Sequence, residues 1–175
     1  MTRVLFVDRD YAGIHPRSCA TRSLAFVARL RQEVDVATRP GLSADVISLT
    51  QGGNYDVLVT HFPYCWEDAQ EVSLLDTRAW CRAMYRRSYQ ILQRIRQLSP
   101  ATTIIVYSGA DFNAHVAAMI REVADHHVTK SADWEEDAER VVELLWKNEL
   151  SDAAPRLTGR WKAPDAQWCV GSRGR

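Results

Sequence analysis

A chain of 175 residues, 46% hydrophobic and 25% charged, has the composition of a single globular domain with a sizeable core. Its 22 basic and 22 acidic side chains cancel to a formal net charge of zero, which argues against a polybasic nucleic-acid or membrane-surface binder. No apolar run approaches the roughly 20 residues that span a bilayer, and the opening MTRVLFVDRD turns acidic too early for a secretory leader, so a cytoplasmic location is expected.

The first element is Arg3–Val7, a short apolar run of β-formers that ends in Asp8-Arg9-Asp10 and reads as a buried strand with a polar end. A helix begins around Pro16, with Cys19, Leu24, Phe26, Val27 and Leu30 as its apolar stripe. Val34–Ala37 alternates like an edge strand, and Pro40-Gly41 turns the chain. Ser43 is the expected N-cap of a short helix over Ala44–Thr50, which Gly52-Gly53 closes.

The next strand organises the rest. Val57, Leu58 and Val59 are apolar without alternation, as in a strand covered on both faces, and the run ends in Thr60, His61 and Phe62 before Pro63. An irregular stretch carrying Glu67, Asp68 and Glu71 leads to Asp76, the expected cap of a long helix from Thr77 to Leu98 with apolar Trp80, Met84, Ile91, Leu92, Ile95 and Leu98. Its other face carries Arg82, Arg86, Arg87, Arg94 and Arg96. Thr102–Tyr107 is a fourth strand ending in Ser108, Phe112–Ala124 a helix, and Val128-Thr129 a brief fifth strand ending in Lys130. Asp133 caps a last helix, Trp134–Leu150, with Ala138, Val141, Val142, Leu145 and Trp146 facing inward.

Five alternations of strand and helix predict a parallel, doubly wound α/β sheet over residues 1–150, followed by a flexible basic tail, 151–175. In such sheets the functional crevice lies beyond the carboxyl ends of the strands, where Asp8, Arg9, Asp10, His61, Ser108 and Lys130 would gather. The four cysteines form no CxxC pair; His61, Cys65 and Cys81 are zinc-compatible residue types, yet three of them on an irregular segment read better as ordinary thiols and an imidazole. No phosphate-binding, hydrolase or metalloprotease motif occurs, so neither an enzyme nor a cofactor is expected.

RVLFVDRD, YDVLVTHFP, TTIIVYSGAD and HHVTKSAD resemble the strand ends of the receiver domain of two-component response regulators over about residues 1–150. The resemblance implies a flavodoxin-like sheet of strand order 2-1-3-4-5, here with an extended third helix. It also implies an acidic, Mg²⁺-binding pocket with an aspartate that takes a phosphoryl group. Asp8, Ser108 and Lys130 match that pattern; Arg9 stands for the second acid, His61 for the phosphoacceptor, Ser131 for the usual proline and His127 for the aromatic switch residue. Exchanging two acids for a guanidinium and an imidazole removes the oxygen ligands Mg²⁺ requires, and an Arg9 fork could bridge Asp8 and Asp10 in its place.

The expected function is therefore that of a degenerate receiver: a signalling or adaptor protein that acts through protein contacts without phosphorylation. The alternative is a sensor in which Arg9, His61, Ser108 and Lys130 grip an anion or nucleotide, and an enzyme using His61 ranks behind both. A protein partner or a homodimer is expected, with no nucleic acid and no membrane. Tyr85, Arg86 and Tyr89 on the long helix are the candidate interface residues, since arginines interleaved with aromatics suit binding hot spots.

Overall fold

Apolar side chains on both faces of β-branched runs force the strands into the middle of a three-layer sandwich. The structure, a computed structural model, describes residues 2–8, 17–62, 77–108, 114–131 and 133–150, with side chains described for all of these except 17–22, 77–82 and 148–150. The elements follow in strict alternation: β1 Arg3–Val7, α1 Arg17–Leu30, β2 Asp35–Arg39, α2 Ala44–Gln51, β3 Val57–Thr60, α3 Thr77–Leu98, β4 Thr103–Ser108, α4 Ala114–Val123, β5 His126–Thr129 and α5 Trp134–Leu150. The strands form one parallel sheet of order β2-β1-β3-β4-β5, as expected.

Each face of the sheet builds its own core. Leu5, Val7, Leu58, Ile104 and Val106 face α2, α3 and α4, where they meet Val46, Leu92, Ile95, Met119 and Ile120. Val4, Phe6, Val59, Ile105 and Tyr107 face α1 and α5, where they meet Phe26, Leu30, Ala138, Val141 and Leu145. Burying each such aliphatic or aromatic side chain contributes about 1.5–3 kcal/mol. Register fixes the site: Val7 pairs with Thr60 and Thr60 with Val106, so Asp8 and His61 both lie one residue beyond the paired ladder, at the same edge of the sheet.

Three local expectations are corrected. Leu24 (51% exposed) and Trp146 (47%) point outward rather than into the core. The inward stripes run through Ser23, Phe26, Val27 and Leu30 and through Ala138, Val141, Val142 and Leu145; Leu24 and Trp146 each sit one residue past a stripe position, about 100° around the helix. Ser43 occupies the N-cap position of α2 in extended conformation, but its side chain makes no cap hydrogen bond and turns to the Asp45 carboxylate. Asp133 does cap α5, accepting from the Glu135 and Glu136 amides at 3.0 and 3.1 Å. Gly53 closes α2 with φ 65°, a conformation glycine adopts at little cost.

At the opposite, amino-terminal edge of the sheet, Arg96 ties α3 to its neighbours. Its guanidinium donates to the Thr102 and Val123 carbonyls and to Asp125, and Asp125 also accepts from the Ile104 amide at 2.8 Å. Arg96 is thus half-buried and bonded to neighbouring elements, unlike the exposed Arg86, Arg87 and Arg94. No helix among the described residues is long and apolar enough to cross a membrane.

Candidate functional site

Ordinary strand extension delivers four of the expected residues to one place. Past the end of β1, Asp8 donates its amide to the Arg39 carbonyl and turns its carboxylate, 1% exposed, toward Lys130, whose ammonium lies 2.6 Å from Oδ2. Past β3, the His61 amide donates to the Val7 carbonyl at 2.9 Å, and the imidazole is half-buried. At the end of β4, the Ser108 hydroxyl is fully buried and donates to the Phe62 carbonyl at 2.5 Å. The Lys130 amide in turn donates to the Ser108 carbonyl at 3.0 Å, closing the gap between β4 and β5. A buried carboxylate needs such a charge-assisted partner, because an isolated charge in this medium would cost several kcal/mol.

A second polar cluster lies directly under the first, on the α1/α5 face. The Lys130 ammonium stands 4.9 Å from the centre of the Tyr107 ring, which stacks on Phe26 at 4.5 Å and 11°. The Tyr107 hydroxyl donates to Asp137 Oδ2 at 3.1 Å, and the same oxygen accepts the Ser131 amide at 2.8 Å. Asp137 is 0% exposed. Neither Tyr107 nor Asp137 was an expected site residue; the available signal was an acid at position 137, immediately before Ala138 and four residues before Val141 on the inward stripe of α5, where a charge is costly unless it holds something.

No family model matches the sequence, and no curated protein matches it. Solved structures do match. A CheY-like response regulator receiver domain protein from Methanospirillum hungatei JF-1 superposes with TM-score 0.57 at 12% identity, covering 86% of this chain and 98% of that one. The signal receiver domain of an HD domain-containing protein from Pseudomonas fluorescens Pf-5 gives 0.54 at 15% identity, covering 86% and 98%. A response regulator receiver domain protein from Clostridium thermocellum gives 0.53 at 15%, covering 86% and 98%. This chain has the receiver fold.

Within the receiver fold, the departures noted in the sequence acquire physical content. Ser131 stands where the resemblance places a proline, and its amide, which a proline would lack, is donated to Asp137; its hydroxyl also accepts from the Asp133 amide at 3.0 Å. Toward a hard cation the described residues offer the Asp8 carboxylate, whose Oδ2 holds the Lys130 ammonium, and the His61 imidazole, which supplies nitrogen where Mg²⁺ wants oxygen. Arg9, Asp10 and Cys65, and with them the expected Arg9 fork, lie outside the described residues, as do the 151–175 tail and the side chain of Cys81; among the described residues Lys130 pairs with Asp8.

His127 stands on the exposed side of β5. Partial burial lowers its imidazole below the ordinary value, against an opposing hydrogen bond with the Ser108 backbone. Because the folded state then binds a proton less readily than the unfolded chain, this group leaves stability unchanged above the ordinary imidazole value of 6.5 and subtracts from it as pH falls below that value. Urea midpoints measured at neutral and mildly acidic pH are expected to diverge less in His127→Gln than in the parent, by a fraction of a kcal/mol given its exposure.

The candidate interface residues on α3 separate. Arg86 is exposed and makes no ion pair among the described residues. Tyr85 is half-buried, its ring 5.7 Å from that of Phe62, which joins α3 to the pocket edge. Tyr89 is 5% exposed and belongs to the core: Gln93 donates to its hydroxyl at 2.7 Å, and burial, with a hydrogen bond to Glu122, raises its phenol well above the ordinary range. It faces inward because it continues the stripe of Leu92 and Ile95, so it is no surface anchor.

Proposed function

We propose that this chain is a phosphorylation-independent, receiver-like signalling or adaptor protein of the cytoplasm that works through protein contacts. One observation carries the reading: the groups that would meet a phosphoryl group already have internal partners, Lys130 on the Asp8 carboxylate and Ser108 on the Phe62 carbonyl, while His61 stands at the end of β3. A pocket so bonded favours one arrangement and offers no carboxylate at that strand end to be modified. The anion-sensor alternative has less support, since its main cation is paired with Asp8.

Incubation with acetyl phosphate and Mg²⁺ followed by intact-mass measurement is expected to give no phosphoryl adduct. An adduct that disappears in Asp8→Ala or His61→Ala would overturn the proposal. A thermal shift with phosphate or nucleotide that is lost in Lys130→Ala would replace it with the sensor, because a specific ligand near saturation stabilises by a few kcal/mol.

A further inference from the structure

Lys130 is held from two sides. Its ammonium lies 2.6 Å from the Asp8 carboxylate and 4.9 Å from the centre of the Tyr107 ring, and its backbone leads directly into Ser131. Tyr107 and Ser131 are in turn tied to one atom: Asp137 Oδ2 accepts the Tyr107 hydroxyl at 3.1 Å and the Ser131 amide at 2.8 Å. Asp137 Oδ1 is buried and makes no hydrogen bond. The whole side-chain hold of Asp137 therefore passes through a single oxygen, although a fully buried and half-satisfied carboxylate is costly. Packing alone would favour an aliphatic residue at this inward position of α5, so the carboxylate answers a different demand.

We infer that Asp137 is the positioning residue of the strand-end crevice: by holding the Tyr107 hydroxyl and the Ser131 backbone together, it sets where the Lys130 ammonium lies and joins the first turn of α5 to the Lys130–Asp8 pair. The order of contacts gives the reason. Stacking on Phe26 at 4.5 Å fixes the plane of the Tyr107 ring but not its slide along that plane, and the hydroxyl bond to Asp137 removes this freedom. Ser131 cannot shift without carrying Lys130 with it, because the peptide between them is rigid. Coupling of this kind acts in both directions. Displacing the first turn of α5 loosens Lys130, and drawing Lys130 off Asp8 loosens the Ser131 amide. The link goes beyond the adaptor reading and does not rest on it.

Lys130 is one of three lysines, with Lys147 and Lys162, so its accessibility can be measured directly. The full chain is treated with a limiting N-hydroxysuccinimide acetate, and the acetylation rate at each lysine is read by peptide mass, with Lys147, 72% exposed, as the internal reference. Asp137→Ala is expected to raise the rate at Lys130 about tenfold relative to Lys147, and Tyr107→Phe, which keeps the ring and the Ser131 bond, to raise it less. Tyr107→Phe decides the matter if Asp137→Ala does not fold. Asp137→Asn retains an oxygen for both donors and is expected to leave Lys130 as slow as in the parent. Val46→Ala controls for lost stability alone, since it thins the core on the opposite face of the sheet. In the reverse direction, Asp8→Asn is expected to speed deuterium exchange of the Ser131 amide about tenfold, and more than Val46→Ala does. Unchanged acetylation of Lys130 in Asp137→Ala or Tyr107→Phe, an equal rise in Val46→Ala, a rise in Asp137→Asn as large as in Asp137→Ala, or an unaltered Ser131 amide in Asp8→Asn would each overturn the link.

Discussion

Lys130→Ala is expected to destabilise the fold by about 3 kcal/mol, measured as a drop in the urea midpoint without a change in slope. The reason is the asymmetry of the pair: the Asp8 carboxylate is 1% exposed and Lys130 is 20% exposed, so removing the cation leaves a buried charge behind. Asp8→Ala is expected to cost less, because the freed ammonium can turn toward water on its four-carbon stem. The double variant should recover part of the Lys130→Ala loss. The outcome also discriminates between two kinds of pocket. Where carboxylates crowd together, deleting one relieves repulsion and stabilises; a gain in stability for Asp8→Ala would mean that the ion pair does not govern this site.

Arg96→Ala is expected to cost about 2 kcal/mol or more, while Arg94→Ala stays within about 0.5 kcal/mol. Both are arginines of one helix, two residues apart. Among the described residues Arg94 reaches only Gln97, at 3.4 Å on the surface. Arg96 satisfies two backbone carbonyls and the Asp125 carboxylate, which itself holds the Ile104 amide. Asp125→Ala should behave like Arg96→Ala, and the double variant should cost less than the sum of the two, since each removes the same contact. Equal effects of Arg94→Ala and Arg96→Ala in urea melts would refute the bracket.

The alternation of elements was legible because buried strands and amphipathic helices have different periods, and the bounds of β1, α3 and α5 agree with the expected ones. The strand-end site was legible in part: Asp8, His61, Ser108 and Lys130 terminate apolar runs, and a parallel sheet brings such termini to one edge. What the sequence could not convey were pairings across long separations. Lys130 and Asp8 are 122 residues apart, and Tyr107 and Asp137 are 30 apart, so no spacing rule connects them. Helix faces depart from the sequence pattern at single positions, Leu24, Tyr89 and Trp146, where an aromatic or aliphatic residue lies near the border of a stripe. Arg96 looked like its basic neighbours for the same reason.

The placement of β3 has a consequence for how the molecule opens. Its four residues are buried, and the strand is hydrogen-bonded to β1 on one side and β4 on the other. The amides of Leu58 and Val59 are therefore expected to exchange deuterium by global unfolding, and those of β2 and β5, each with a single neighbouring strand, through smaller fluctuations. The exchange free energy at the centre of the sheet is then expected to match the global stability, and the difference between centre and edge would measure how much of the molecule loosens around the Lys130 end of β5 while the rest stays folded.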